Sequence, residues 1–417
     1  MASNTTTEIT HLDLYEFTTP SLASITDVRH LSSYNWIEAS KATPTIAVPG
    51  SPALWSAPRF PQQLEKDSGL IYIHQNAARH PDSPLEPLFR ALYVAHPSYD
   101  IRSTDVVTDR NNIRKLLSFI SSRTTRNEIE SFTISIEVVK NTAILCREET
   151  ATHEFIGPHE FRGFGHEFEK AYTTCQIRGS TGHHRIISYR FGGLNFIVRH
   201  ETDGYVDAGT KIPSANRHNI KEHGIDSLSG ALESLSLSWP NNSANDCTSS
   251  KLIVKEEGQV VPLESTLEIK TRVFHKPLTV QELAPQLWVS QTPQLVRAYH
   301  RKGTFERPDV EDVAGEIKSW EERNQSDLKK LTALIQKIIK VVKGYGGNAV
   351  LKYDAMGDKL VVCKVDGRNM LPKDLYSKWD DRDISEAEAN ANDDISQGAK
   401  IAQMLSAVSK IRKYLRQ

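Results

Sequence analysis

The sequence predicts an α/β (α+β) fold in which a mixed central β-sheet is flanked by helices. Segments in which apolar and polar residues alternate, such as Thr266–Arg272 (TLEIKTR), recur along the chain and are typical of half-buried strands. Between them lie segments with apolar residues at helical spacing, among them Leu85, Leu88, Phe89 and Leu92. With 417 residues, the chain is long enough for two or three domains or for one domain with insertions.

Composition narrows the classes of function. Lys and Arg number 51 and Asp and Glu 52, so no global positive field attracts a polyanion and any such site must be local. The four cysteines lie far apart without a CxxC pair, which argues against a zinc ribbon and a disulfide scaffold. No secretory signal, transit peptide or apolar stretch of about 18 residues is present. We therefore expect a protein of the nucleus or cytoplasm that is neither secreted nor bound to a membrane.

The N-terminal third is expected to form an arm and the first helices. Residues 1–83 are rich in Ser, Thr and Pro, with turns near Pro49-Gly50, and are predicted to form an arm packed on the core. Residues 84–379 are predicted to form a catalytic core. It begins with a helix near Pro84, followed by a helix for which Asp109 or Asn111 is a candidate N-cap.

The middle of the chain predicts strands around one short helix. Residues 132–141 and 142–149 form an antiparallel pair with a turn at Lys140-Asn141. A helix follows Gly165 and carries Glu169. Two strands, Ile186–Arg190 and Leu194–His200, then lead into the acidic residues of a candidate site.

The C-terminal half is expected to contain an insertion, further strands and a tail. The Ser/Asn-rich insertion near 209–262 is predicted to be a mobile surface loop in its Asn-rich part, with a packed amphipathic helix as the alternative for the preceding part. A short helix, the strand Gln294–His300 and a long helix over Asp309–Lys343 follow, before two strands. Residues 380–417 are predicted to be an acidic linker and a C-terminal amphipathic helix.

Acidic residues meet a lysine where two predicted strands end. Glu201 and Asp203 are two residues apart and thus on one face, and Glu268 and Lys270 alternate with Leu267 and Ile269 on a later strand. Carboxylates suit hard divalent cations, and a lysine beside them can face the charge that develops when a phosphodiester is cleaved. The competing interpretation, a solvated strand face with alternating charges, remains open on these residues alone.

Arg110 is a second candidate, since an arginine at the start of a helix is not favoured by the helix dipole. A phosphate or carboxylate partner would account for it, and a surface loop is the alternative.

Taken in order, five short motifs resemble those of the DXO family of RNA 5′-end decapping enzymes and exoribonucleases, a branch of the PD-(D/E)XK nuclease fold. They are, in chain order, Val-Thr-x-Arg ending at Arg110, Gly165–Glu169 with His166 where an aromatic is usual, Glu201-x-Asp203, Glu268-x-Lys270, and a glutamine before a Pro-x-hydrophobic strand. We align the glutamine to Gln286, with Gln291 as the second choice. The match covers roughly residues 100–370.

The resemblance implies a role for each matching residue. Catalysis would use Glu169, Asp203, Glu268, Lys270 and Gln286. Arg110, His166 and Gln291 would bind substrate. One or two Mg²⁺ or Mn²⁺ ions would be held by Glu169, Glu201, Asp203, Glu268 and the carbonyl group of Ile269. The implied partners are a single-stranded RNA 5′ end and a larger 5′→3′ exoribonuclease.

The sequence thus predicts a metal-dependent RNA 5′-end hydrolase that removes a cap or a 5′ nucleotide and has 5′→3′ exoribonuclease activity. One alternative is a PD-(D/E)XK nuclease acting on DNA. The other is a catalytically silent RNA-binding or scaffold protein, which is suggested by His166 at a position where the family usually has an aromatic residue. Because crowded carboxylates strain a protein without metal, replacement of Glu268 by alanine is expected to leave the thermal midpoint unchanged or higher.

Overall fold

A computed structural model describes residues 5–16, 22–40, 42–121, 129–157, 159–207, 250–367 and 369–380. Residues 209–249 of the predicted insertion and residues 381–417 of the predicted linker and C-terminal helix lie outside the described residues. No helix within the described ranges is both long and apolar enough to cross a membrane.

Strands dominate the described part of the chain. They are β1 (Thr6–Thr10), β2 (Ile25–Ile37), β3 (Thr45–Gly50), β4 (Leu54–Trp55), β5 (Gln62–Gln63), β6 (Gly69–Tyr72), β7 (Val106–Asp109), β8 (Thr133–Val139), β9 (Thr142–Glu148), β10 (His153–Ile156), β11 (Thr173–Thr174), β12 (Ser180–Phe191), β13 (Leu194–Glu201), β14 (Gly204–Tyr205), β15 (Ile253–Gly258), β16 (Thr266–Val273), β17 (Gln294–Arg301), β18 (Thr304–Phe305), β19 (Val310–Asp312), β20 (Asn348–Asp354) and β21 (Lys359–Lys364). The helices are α1 (Asp13–Glu16), α2 (Gln75–Arg79), α3 (Glu86–Ala95), α4 (Arg110–Ile120), α5 (Gly165–Tyr172), α6 (Val280–Ser290), α7 (Ala314–Arg323), α8 (Gln325–Gly344) and α9 (Lys373–Tyr376).

The larger sheet has eleven strands in the order β1-β21-β20-β8-β9-β7-β13-β12-β2-β3-β15. Strand β7 runs parallel to β9 and β13, and β15 runs parallel to β3. The remaining neighbours are antiparallel, so the prediction of a mixed sheet flanked by helices is confirmed. At one edge β1 pairs with β21, with Thr6 opposite Cys363.

A second sheet places the candidate acidic residues on different layers. Its strand order is β11-β4-β14-β16-β17-β18-β5, with β19 also on β17. Strand β16, with Glu268 and Lys270, is interior to this sheet, whereas β13, which ends at Glu201, belongs to the larger one. The chain passes from the larger sheet to the second between β13 and β14, through Thr202 and Asp203. The predicted site therefore lies at a junction of two sheets and not at the end of one.

Apolar clusters cover both faces of the larger sheet. The largest cluster lies between the sheet and helices α4, α6, α7 and α8, and includes Leu116, Trp288 and Leu331. A second cluster lies under α3 and α9, with Trp36, Phe89 and Trp379 at its centre. Burial of this apolar area provides most of the stabilisation and fixes the positions of α4 and α6, which carry candidate site residues.

The N-terminal segment contributes more than the predicted arm. Strands β2 and β3 lie inside the larger sheet, where β2 pairs with β12 along almost its whole length. Tyr34 and Trp36 alternate on one face of β2 and are fully buried. Trp55 packs against Phe168 and Tyr172, with ring centroids 6.4 and 5.9 Å away.

The predicted long helix over residues 309–343 is wrong at its start and in its middle. Residues 310–312 form β19, and the helix is divided into α7 and α8 at Asn324. The Asn324 side chain donates a hydrogen bond to the Trp320 carbonyl oxygen at 2.7 Å. Such local bonding by asparagine competes with the helical hydrogen-bond pattern, which explains the break.

A buried ion pair joins β7 to β13 just before α4. The Arg199 Nε and Nη2 groups donate to the two Asp109 carboxylate oxygens at 2.6 and 3.0 Å, and Arg199 is 1% exposed. Burial alone would raise the pKa of Asp109, but the Arg199 charge outweighs it and lowers that pKa. Asp109 occupies the N-cap position of α4, yet its carboxylate makes no cap hydrogen bond because Arg199 holds it.

We expect Arg199→Met to lower the free energy of unfolding by about 3–5 kcal/mol, because it leaves the Asp109 carboxylate buried without a cation. Urea denaturation measures the effect. The matched control is Arg102→Met, which removes an arginine from an exposed pair with Asp100 and should change stability by about 0.5 kcal/mol or less. Equal effects of the two substitutions would contradict the assigned role of the buried pair.

Candidate active site

Three donors from separate parts of the chain converge on Glu268, which is 1% exposed. Arg110 Nη1 donates to one carboxylate oxygen of Glu268 at 3.1 Å. Lys270 Nζ and Gln286 Nε2 donate to the other oxygen. The structure therefore brings together four residues that the motifs singled out.

Local structure explains how these donors reach Glu268. Arg110 is the first residue of α4 and follows directly on β7. Lys270 is two residues beyond Glu268 on β16, so both side chains leave the same face of the strand. Gln286 lies in the second half of α6, whose N-terminus is capped by Thr279: its Oγ1 accepts from the Glu282 N–H at 3.3 Å.

Asp203 and Glu201 approach the same place from the larger sheet. Asp203 Oδ2 accepts a hydrogen bond from the backbone N–H of Ile269 at 2.7 Å, which ties the junction to β16. Glu201 lies beside Gly182 on the neighbouring strand β12. A Cβ atom at position 182 would stand 3.2 Å from Glu201 Oε1 and 2.5 Å from Gln75 Oε1, so a larger residue there would displace the Gln75 amide and crowd Glu201.

Helix α5 delivers the fourth carboxylate, that of Glu169. Asp67, from the segment before β6, accepts a hydrogen bond from the Glu167 N–H at 3.0 Å and thereby caps the start of this helix. On its buried side Phe168 stacks on Tyr172, with centroids 3.9 Å apart. Glu169 is half-buried.

The pKa values of the four carboxyl groups shift in different directions because Glu268 takes most of the donors. Burial and then the Glu268 charge raise the pKa of Asp203 to about 7. Burial and then the charges of Asp203 and Glu201 raise the pKa of Glu169 well above its ordinary value. Burial also acts on Glu268, but the charges of Lys270 and Arg110 outweigh it and lower its pKa to about 2. The pKa of Lys270 is raised by Glu268 and Asp203 in spite of burial.

Glu201 combines an exposed side chain with a raised pKa, of which burial is the first cause. The two observations agree if water reaches the carboxylate while protein surrounds it, as at the floor of a cleft. The exposed area of Glu201 shows that solvent, and hence a ligand, can reach this carboxylate.

The donor set fits a hard divalent cation in its chemistry. It consists of carboxylate oxygens, and three of the four carboxylates have a raised pKa, so a cation would relieve their repulsion. Among the described residues, however, no three His, Cys, Asp or Glu side chains stand in an arrangement that could hold a metal ion. To bind a cation, the Glu268 carboxylate would have to give up hydrogen bonds from Arg110, Lys270 or Gln286.

A cavity of about 550 Å³ adjoins these residues and includes Glu169 in its wall. Arg162 and Arg272 contribute positive charge to it, and His166 and His300 contribute imidazole rings. His166 is exposed at the start of α5. The cavity thus combines basic groups with the carboxylates of Glu169 and Asp67.

Two expectations from the sequence need correction. Gln291 does not reach the site: it ends α6 in a left-handed conformation (φ 53°), and its amide donates to the Trp288 carbonyl. Glu268 is neutralised by its donors rather than strained. Its replacement by alanine would leave Lys270 and Arg110 without that partner, so from this geometry we expect the thermal midpoint to fall, the opposite of the expectation from the sequence.

Sequence reasoning missed three residues that bear on the site. Asp67 and Gln75 come from the N-terminal segment, and no local pattern connects either with a carboxylate more than 90 residues later. Arg114 lies one helical turn after Arg110, and its pKa is lowered by burial and by the Arg110 charge. The spacing of four residues on a predicted helix could have indicated it.

Comparisons with known proteins show the family of the chain: it belongs to the family of the model that matches most of its length. A family model described as "Domain of unknown function (DUF8563)" matches residues 11–378. No curated protein sequence matches the chain.

Three solved structures from fungi share the fold. Scheffersomyces stipitis Rai1, in complex with (3′-NADP)+ and calcium ion, is 10% identical, with a TM-score of 0.54 over 91% of this chain and 98% of that one. Candida albicans Rai1, in complex with pU5-Mn2+, is 10% identical, with a TM-score of 0.53 over 90% and 99%. S. pombe Rai1, in complex with 3′-FADP, is 12% identical, with a TM-score of 0.52 over 87% and 100%. At these identities the likeness confirms the expected resemblance in the fold.

We expect the free energy of unfolding to fall less steeply with rising pH in Glu169→Gln than in the wild type. A carboxyl group whose pKa is raised on folding favours the folded state below its unfolded value, near 4.5, and this advantage is lost as the pH rises towards the folded pKa. Glutamine cannot ionise, so at pH 8 the variant should be more stable than the wild type by on the order of 1 kcal/mol.

Denaturation of the chelator-treated protein between pH 4.5 and 8 measures this difference. The control is Glu167→Gln, two positions earlier in α5, where the carboxylate pairs with Lys170 at 2.6 Å on the outer side. It should follow the wild-type profile. A wild-type profile in Glu169→Gln would show that neither burial nor the neighbouring carboxylates raise the pKa of Glu169.

Proposed function

We propose that this chain, which belongs to the DUF8563 family and has the fold of the Rai1 proteins, is a divalent-metal-dependent hydrolase of RNA 5′ ends. The observation that carries the proposal is the convergence of Arg110, Lys270 and Gln286 on Glu268, beside three further carboxylates. Acidic ligands with a lysine and an arginine are the groups needed to cleave a bond at phosphorus.

The bound molecules of the fungal structures support RNA as the substrate class. One of those Rai1 proteins holds pU5 with Mn2+, and another holds 3′-FADP. For this chain we propose removal of a cap or a 5′ nucleotide, followed by 5′→3′ exoribonuclease activity. Association with a larger 5′→3′ exoribonuclease, implied by the family resemblance, stays a prediction.

Each site residue has a proposed task. Glu169, Glu201, Asp203, Glu268 and the Ile269 carbonyl would hold one or two Mg²⁺ or Mn²⁺ ions, which supply an activated water and stabilise the leaving oxygen. Arg110 presents a planar pair of donors that matches two phosphate oxygens. Lys270 and Gln286 already donate to one Glu268 oxygen, so they are placed to orient a water or a phosphate beside it.

We expect Glu268→Gln to reduce hydrolysis at least about 100-fold on every substrate of the wild type, because the change removes the charge at the centre of the site while keeping its shape. The assay is a panel of 5′-triphosphate, 5′-monophosphate, 5′-hydroxyl, capped and NAD-capped RNAs with Mg²⁺ or Mn²⁺. Single-stranded and duplex DNA in the same panel test the alternative of a DNA nuclease.

Glu149→Gln is the matched control for the panel. Glu149 also pairs with cations, Lys115 at 2.7 Å and Arg147, but it is not one of the proposed metal ligands. This variant should retain most activity. If the wild type binds RNA and hydrolyses no nucleic acid in the panel, the silent RNA-binding alternative is correct.

Arg110→Lys tests the phosphate contact separately from charge. Lysine keeps the positive charge but loses the planar two-pronged donor set, so we expect kcat/KM to fall by about tenfold or more and RNA affinity to fall less. Steady-state kinetics and a fluorescence binding assay with one labelled RNA give both values. Unchanged kinetics would mean that Arg110 does not contact the phosphate and serves only as an ion-pair partner of Glu268.

A further inference from the structure

Arg114 differs from the cations around it in forming no ion pair: the charge of Glu268 attracts it, but the Glu268 carboxylate is bound by Arg110 and Lys270. It is half-buried on α4, one turn after Arg110. The Arg110, Lys115 and Arg147 side chains form ion pairs with Glu268 or Glu149. Within the described ranges, Arg114 forms no hydrogen bond or ion pair. A half-buried guanidinium group next to another arginine is unfavourable unless an anion joins it.

Other unpaired polar groups lie at the same end of α4. Asn111 Nδ2, His200 Nε2 and Thr202 Oγ1 are buried and have no hydrogen-bond partner among the described residues. Arg199 on β13 lies opposite Asp109 on the parallel strand β7. The residues that follow them, His200 and Arg110, therefore lie at the same end of the two strands. His200 is 3% exposed, and its Nδ1 faces the Glu201 carbonyl at 3.2 Å, which leaves Nε2 on the opposite side of the ring.

The start of α4 adds backbone donors to this group. The helix has 11 residues, no acidic residue in its first turn and no side-chain cap, because the Asp109 carboxylate is bound by Arg199. The first N–H groups of a helix attract anions when no side chain accepts from them. An arginine pair, an uncapped helix start and buried unpaired side chains are together the surroundings that a phosphate group requires.

We infer that Arg114 forms a second phosphate subsite beside Arg110 and recognises the phosphate next to the one that is attacked in polyphosphorylated 5′ ends. This inference rests on the proposed function. Side chains four residues apart on a helix have Cβ atoms about 5–6 Å apart, so two arginines at this spacing can hold neighbouring phosphates of one chain. The subsite would favour 5′-triphosphate and capped RNA over 5′-monophosphate RNA.

Arg114→Gln tests the inference on two RNAs of identical sequence that carry a 5′-triphosphate or a 5′-monophosphate. We expect KM for the triphosphate RNA to rise about tenfold, since a hydrogen bond to a charged group is lost. The ratio of kcat/KM for triphosphate over monophosphate RNA should fall at least about fivefold. Equal losses on both RNAs, or an unchanged ratio, would overturn the inference.

Lys115→Gln is the matched control on the same helix. It removes one positive charge from α4, but the Lys115 ammonium is bound to Glu149, at 2.7 Å. The triphosphate-to-monophosphate ratio should stay at the wild-type value. A fall equal to that of Arg114→Gln would mean that the charge of α4 as a whole, and not a site at Arg114, sets the preference.

A binding measurement separates this inference from the proposed function. Inorganic tripolyphosphate should raise the thermal midpoint of the metal-free wild type, and Arg114→Gln should abolish most of that rise. Without ligand, the variant should melt at or above the wild-type midpoint, because one of two neighbouring positive charges is gone; a purely structural arginine would give a lower midpoint.

The two proposals fail in different ways. If no RNA is hydrolysed but tripolyphosphate stabilises the protein through Arg114, the hydrolase is refuted and the phosphate subsite stands. If RNA is hydrolysed and neither the substrate ratio nor the tripolyphosphate effect depends on Arg114, the subsite is refuted and the hydrolase stands.

Discussion

The arrangement of the candidate site follows from one constraint, the crowding of four carboxylates around the buried Glu268 where two sheets meet. Such groups must bind protons, donors or cations, since repulsion between desolvated charges is costly. Glu268 receives three donors and its pKa falls to about 2, while the pKa of Asp203 rises to about 7. The cluster is therefore unequal: its donors hold Glu268 ionised, whereas the pKa values of the other three carboxyl groups are raised, and a bound cation would favour their ionised forms.

Structure distant from the cluster keeps it in place. The Arg199–Asp109 pair binds β13 to β7 and so fixes the start of α4, from which Arg110 extends. Asp67, 100 positions before Glu167, accepts a hydrogen bond from the Glu167 N–H and so fixes the start of α5, which carries Glu169. The passage from β13 to β14 sets the distance between the sheets. These supports use backbone groups and buried charges, which have fewer alternative conformations than surface side chains.

Local patterns in the sequence were sufficient to predict individual strands and helices and the residues of the short motifs. Alternation along β16 and helical spacing in α4 predicted those elements, and short motifs predicted that Arg110, Glu268, Lys270 and Gln286 belong together. What depends on long-range packing was not predictable in this way. The division of the acidic residues between two sheets, the insertion of β2 beside β12 and the Asp67 cap all join positions far apart in the chain. Gln291 failed as a candidate because its backbone conformation ends α6, a property that spacing alone does not reveal.

The pairing of β1 with β21 has a consequence for synthesis on the ribosome. The Glu8–Lys359 contact between these strands joins residues 351 positions apart. During translation, β1 emerges first and waits for its partner until almost all of the described chain has been made. Contacts of such long sequence separation form late and slowly, and an unpaired strand edge can associate with other chains in the meantime. The last step in building the larger sheet thus falls after the residues of the candidate site have left the ribosome.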